Sequence, residues 1–166
     1  MKPAAGKVRV IALGNPAAGD DGAALAAIER LPPSAELVRG GRPGPGLLDL
    51  LADESPTVLV DVTCGLGEPG LVTTGALAEL VERLDARAQL SSHGFGPAET
   101  LRLARALGRA LPPISFVGIE GRRFDPGEGL SPAVEHALPS FVDAIGRAVS
   151  DLARRGATDP REAPDA

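Results

Sequence analysis

Residues 8–31 read VRVIALGNPAAGDDGAALAAIERL, and this stretch decides the fold. Val8, Val10, Ile11, Ala12 and Leu13 form a short apolar run, the mark of a strand covered on both faces. Gly14-Asn15 ends the run, a loop of small residues follows, and Asp20-Asp21-Gly22 precedes a second apolar pattern. There Ala24, Leu25, Ile28 and Leu31 recur at the spacing of one helix face, so a helix is expected over Asp21–Leu31, stopped by Pro32-Pro33. Strand, loop and helix follow in order, with two carboxylates at the loop–helix junction. Open α/β sheets bind ligands at the carboxyl ends of their strands, which is where this pattern puts the acids.

The same alternation continues outward. Short strands are expected at Glu36–Arg39 and, more apolar, at Thr57–Val62, whose Asp61 falls near the end. Between them lie a loop, Gly40–Gly46, and a short helix, Leu47–Ala52. Cys64–Gly70 is rich in turn residues, and Leu71–Leu77 reads as a short edge strand. Leu90–Gly96 is a polar loop carrying His93, followed by a helix over Pro97–Leu111 and a third apolar strand, Ile114–Ile119. A long amphipathic helix spans Ser131–Ala153, with Ser131 as its N-cap and Pro132 at the first helical position. Strands alternating with helices imply a largely parallel sheet covered on both faces, a three-layer α/β domain. That single domain is expected over residues 1–153, and the Pro-, Asp- and Arg-rich tail 154–166 is expected to be disordered.

Composition narrows the function. The 166 residues suit one domain, and 43% hydrophobic with 23% charged content is ordinary for a globular protein. The net charge is −5 with no dense basic cluster, which argues against a nucleic-acid partner. Cys64 is the sole cysteine, so an internal disulfide and a Cys-based zinc site are both excluded, as suits a reducing compartment. No apolar run approaches the roughly 20 residues of a membrane span, and MKPAAGKVRV lacks the apolar core of a signal peptide, so a cytoplasmic location is expected. GNPAAGDDG has neither the dinucleotide spacing nor a Walker lysine, and its paired acids would repel phosphate, so no nucleotide is expected. The chain has no Gly-x-Ser-x-Gly elbow, and no nucleophile stands out.

Three candidate metal ligands fall at separate switch points: Asp21 after the first strand, Asp61 in a central strand, and His93 in a later loop. Two carboxylates and an imidazole suit a borderline divalent ion and leave coordination positions for a carbonyl, a water or a substrate group. Each residue also has a plainer reading. Asp20 or Asp21 can cap a helix, Asp61 can brace a turn, and a loop histidine is usually without chemistry. His136 reads as a surface helix residue and Cys64 as a small buried filler.

Four segments, in order, resemble the hydrogenase maturation endopeptidases. They are GNPAAGDDG (14–22), VLVDVTCGLGEPG (58–70), SSHGFGPAETLRLARALGRALPP (91–113) and VGIEGRRFDPGEGLSPAVEHALP (117–139). The resemblance runs from about Val8 to about Ile145 and implies a twisted, mostly parallel five-stranded sheet between helices. It implies removal of the C-terminal extension of a nickel–iron hydrogenase large-subunit precursor after nickel insertion. The family's metal-contacting positions map to Asp21, Asp61 and His93. On this resemblance the nickel is expected to arrive with the precursor, with none held by the protein alone. Gly14, Asn15 and Asp20 are assigned to the wall that meets substrate, with Asp20 also left as the helix cap. Two departures stand out: Ala24 where the family often has Gly, and Ala17-Ala18 where it often carries a larger or charged residue. The alternative reading is a non-enzymatic maturation factor of the same fold that binds a hydrogenase subunit or nickel without cutting. The acidic surface and the scarcity of aromatic residues lean toward a monomer.

Overall fold

A computed structural model describes residues 7–52, 54–83, 94–127 and 129–157. The chain enters with β1 (Arg9–Leu13), makes one 3-10 turn over Gly19–Gly22, and continues into α1 (Ala23–Ile28). Next come β2 (Glu36–Gly41), a 3-10 turn at Gly44–Gly46, α2 (Leu47–Leu51) and β3 (Thr57–Thr63). Then follow β4 (Val72–Ala76), α3 (Leu77–Arg83), α4 (Pro97–Ala106), β5 (Ile114–Glu120) and α5 (Pro132–Ala157).

The strands form one five-stranded sheet in the order β2-β1-β3-β5-β4. All pairings are parallel except β4 with β5, where Val72 faces Ile119 and Ala76 faces Ser115. The mostly parallel α/β sandwich read from the sequence is therefore present. The chain turns outward from β1 to β2, then crosses back to place β3 on the other side of β1. The carboxyl ends of β1 and β3 thus form the switch point at which such sheets hold ligands.

Side-chain alternation along the strands sorts the core into two layers. Val10, Ala12, Val58, Val60, Val62, Val117 and Ile119 pack with α1 and α5 residues such as Leu25, Ile28, Leu138, Phe141 and Ile145. Ile11, Leu13, Leu59, Ile114 and Phe116 face Leu47, Leu51, Leu77, Leu80 and Val81 of α2 and α3. Asp61 is two residues after Leu59 and shares its face, so this acid lies at the edge of the second layer.

Several boundaries differ from the sequence reading. The edge strand stops at Ala76, and Leu77 opens α3, because Leu77, Leu80 and Val81 at helical spacing find a buried face. Helix α4 ends at Ala106 rather than Leu111, and Gly108 just beyond has φ 63°, the left-handed conformation that terminates helices. The helix expected from Asp21 begins as a 3-10 turn and is α-helical only over Ala23–Ile28. At the other end, α5 runs to Ala157, so Arg154–Ala157 belong to the helix and not to a disordered tail. Buried Leu152 anchors that last stretch, and Arg154 pairs with Asp151 one turn back.

Candidate active site at the β1–β3 switch point

Gly14 turns the chain out of β1 with φ 125°, and no other residue fits there: a Cβ would lie 1.9 Å from the Asp21 carbonyl oxygen. The tight approach brings the loop back on itself. The Asn15 side chain accepts a hydrogen bond from the Ala17 N–H (2.9 Å), and its backbone N–H donates to Asp21 Oδ2 (2.7 Å). Asp21 is fully buried. A buried carboxylate needs compensating donors or charge, and a second group supplies it: Arg42 donates to the same Oδ2 from Nε (3.0 Å) and Nη2 (2.7 Å). The arginine side chain keeps 43% of its surface in solvent.

Asp61 is also fully buried, and its Oδ1 accepts from the Val62 N–H at 2.8 Å. It lines a cleft of about 190 Å³ together with Leu13, Arg42, Leu47, Phe95 and Gly96. Arg42 therefore links the two acids: it lines the cleft of one and holds the carboxylate of the other. His93 lies outside the described residues, although Phe95 and Gly96, the next positions but one and two along the chain, line this same cleft. Among the described residues no group of three or more His, Cys, Asp or Glu is arranged to hold a metal.

Asp20 does not cap a helix. The 3-10 turn and α1 have no side-chain cap. Instead the Asp20 carboxylate points across to the segment after β5. It accepts from Arg122 N–H (2.8 Å), Arg123 N–H (3.0 Å), Ser131 N–H (2.6 Å) and the Ser131 hydroxyl (2.8 Å). Burial pushes this carboxyl up, but the bonds from Ser131, Arg122 and Arg123 outweigh it and hold the group below the usual carboxylate range. Backbone bonds run alongside: Asp20 N–H to Arg123 O (2.8 Å) and Gly127 N–H to Ala17 O (3.0 Å). Asp20 holds the wall in place; its carboxylate is spent inside the protein. Ser131 does precede α5, its carbonyl accepting from Glu135 N–H, while its hydroxyl serves Asp20.

The HycI family model, described as hydrogenase maturation protease, matches residues 22–148. The chain belongs to this family.

Solved hydrogenase maturation proteases agree in architecture. HybD from Thermococcus kodakarensis is 28% identical, with 87% of this chain and 99% of that one covered and a TM-score of 0.67. HybD from Escherichia coli is 22% identical, covered over 88% and 93%, with a TM-score of 0.72. A hydrogenase 2 maturation peptidase from a Thaumarchaeota archaeon is 24% identical over 87% and 98%, with a TM-score of 0.60. No curated protein matches the chain. Membership of this family makes the protein a peptidase. No described helix of this maturation protease is long and apolar enough to cross a membrane.

Two buried or half-buried charged residues near the switch point gave no clear sign in the sequence. Arg42 sits in GGRPGPG, which reads as a loop, and nothing local signals its pairing with an acid 21 positions away. Glu120, at the end of β5, is buried and gathers donors from the end of β3 and the loop after it: Thr63 Oγ1 (2.7 Å), Gly65 N–H (2.5 Å) and Leu66 N–H (3.3 Å). Its only sequence signal was an acid ending an apolar strand. Two plainer readings also have outcomes: His136 lies exposed on α5, whereas Cys64, expected as a buried filler, is exposed at the head of that loop.

Proposed function

We propose that this protease removes the C-terminal extension of a nickel–iron hydrogenase large-subunit precursor after nickel insertion. The substrate's own nickel serves as the recognition element. Asp21, Asp61 and His93 are the residues that meet it, and Gly14 and Asn15 shape the wall beside it. The observation that carries this reading is the Asp21 carboxylate. It is fully buried at a strand switch point, and its Oδ2 already holds a cation, the Arg42 guanidinium. An oxygen built to face positive charge, with a second carboxylate in the adjoining cleft, suits a divalent ion. Bound nickel supplies a Lewis acid. The protein's own part is to fix the acids: the Asn15 N–H orients Asp21, and the Val62 N–H orients Asp61. An ion that comes with the precursor's ligands needs only a few more from the protease, so docking depends on nickel having been inserted.

The test is a trimming assay on the precursor from the same genome, with and without nickel loading, read by intact mass. Nickel-dependent loss of a C-terminal peptide is expected, and an unchanged mass in both conditions refutes the reading. In the same assay His93→Ala is expected to abolish trimming without moving the unfolding midpoint. A fully active variant would remove His93 from the ligand set.

A further inference from the structure

The ion pair at Asp21 has a consequence for what the site accepts. Resting on the reading that Asp21 meets the substrate's nickel, we propose that Arg42 is a resident cation that guards this carboxylate. It occupies Oδ2 in the resting protein, excludes free divalent ions, and leaves only when the precursor brings a metal to replace it.

Three observations carry this. First, the guanidinium makes two of the three hydrogen bonds described on Asp21 Oδ2, so an ion cannot take that oxygen without displacing it. Second, Asp21 is fully buried, and a buried carboxylate that loses a charged partner without replacement is strongly disfavoured. A neutral peptide entering the cleft cannot make that exchange, but a metal-bearing one can. Third, Arg42 is free to leave. Its side chain is 43% exposed, so the released guanidinium moves into water. It sits between Gly41 (φ 61°) and Gly44 (φ 54°), around which an added Cβ would meet nothing within 4 Å. The near end stays fixed, because Gly41 O accepts from Gly14 N–H at 2.8 Å. Because the Arg42 side chain is already half exposed, its displacement leaves the core intact and the β1 end undisturbed.

The test is calorimetric titration of the full chain with nickel chloride at neutral pH, for wild type, Arg42→Met, Arg42→Lys, Asp21→Asn and the Arg42→Met/Asp21→Asn double variant. Arg42→Met is expected to bind the ion about tenfold more tightly or better, since a charged competitor with two donors on that oxygen is gone. Arg42→Lys is expected to stay near wild type, and Asp21→Asn to cancel the gain in the double variant. Binding of the precursor, with and without nickel, gives the second readout. Wild type should prefer the loaded form, and Arg42→Met should narrow that preference by bringing in free nickel. Should Arg42→Met bind nickel within twofold of wild type, or more weakly, while Asp21→Asn still weakens it, Arg42 is no guard and the Asp21 reading stands. Should Asp21→Asn leave nickel binding unchanged in both backgrounds, the Asp21 reading itself falls, and the guard with it. Unfolding midpoints accompany each variant, and Arg42→Gln replaces Arg42→Met if the latter does not fold.

Discussion

Asp20 and Asp21, consecutive in the chain, turn their carboxylates to opposite partners. Asp20 accepts from Arg122, Arg123 and Ser131 beyond β5, and Asp21 accepts from Asn15 and from Arg42 beyond β2. One acid ties the first loop to the segment after β5, and the other is held by Arg42, which lines the cleft, so the two should respond differently to the same substitution.

Asp20→Asn keeps the shape but sets an amide against four donors. A loss of about 1–3 kcal/mol is expected at pH 7, as for other buried hydrogen-bonded groups. The carboxyl is held below its ordinary range in the folded protein. Its stabilisation is therefore fully present above the unfolded value of roughly 3.9 and is lost as pH falls through the lower folded value. Urea unfolding at pH 7 and pH 3 checks this: the acid-induced loss seen in wild type should shrink in the variant.

Asp21→Asn should act on chemistry and not on the fold. Asn retains an acceptor for the Asn15 N–H, and half-exposed Arg42 regains water, so the stability change should stay within about 1 kcal/mol. Trimming should fall on the order of 100-fold, the scale of losing a positioned reacting geometry. Mass-resolved trimming rates beside an unfolding curve separate the two effects. Comparable losses in both would mark Asp21 as structural.

Gly14→Ala drives a Cβ to within 1.9 Å of the Asp21 carbonyl at a left-handed φ. Strain and overpacking together should cost about 2–4 kcal/mol, and trimming should fall with stability because Asp21 itself must shift. Gly44→Ala is the control: its φ is 54° but the added methyl meets nothing, so about 1 kcal/mol is expected. Thermal unfolding of the pair checks the contrast.

Glu120→Gln should cost about 1–3 kcal/mol and loosen the loop after β3, because the carboxylate gathers Thr63, Gly65 and Leu66 onto the end of β5. Limited proteolysis should show new cleavage between Cys64 and Gly70, and an unchanged digestion pattern would count against this role.

How much of this was legible in the sequence follows from the range of the forces involved. The runs at Val8–Leu13, Thr57–Val62 and Ile114–Ile119 were plain because a strand buried on both faces leaves no polar interruption. The largely parallel sheet followed from their alternation with helices, and its five strands from the family resemblance. Asp21 and Asp61 stood out as acids after an apolar strand and within one, and the structure buries both beside the β1–β3 switch point. What Asp20 does was not legible, because a local cap and a bond to Ser131, 111 positions away, look alike in a linear reading. Arg42 was hidden for the same reason. α3 was missed because only three buried residues, Leu77, Leu80 and Val81, carry its helical period.

The span between Asp20 and Ser131 also sets an order of assembly. Nothing in the first strand–loop–helix unit can hold the Asp20 wall by itself; its partners Arg122, Arg123 and Ser131 are the product of later synthesis. With 111 residues between the two ends and elongation at about 5–20 residues per second, the wall stays open for roughly 6–22 s after Asp20 has been made. The wall beside the β1–β3 switch point is thus completed from the far end of the chain, once the segment between β5 and α5 has folded against the first loop.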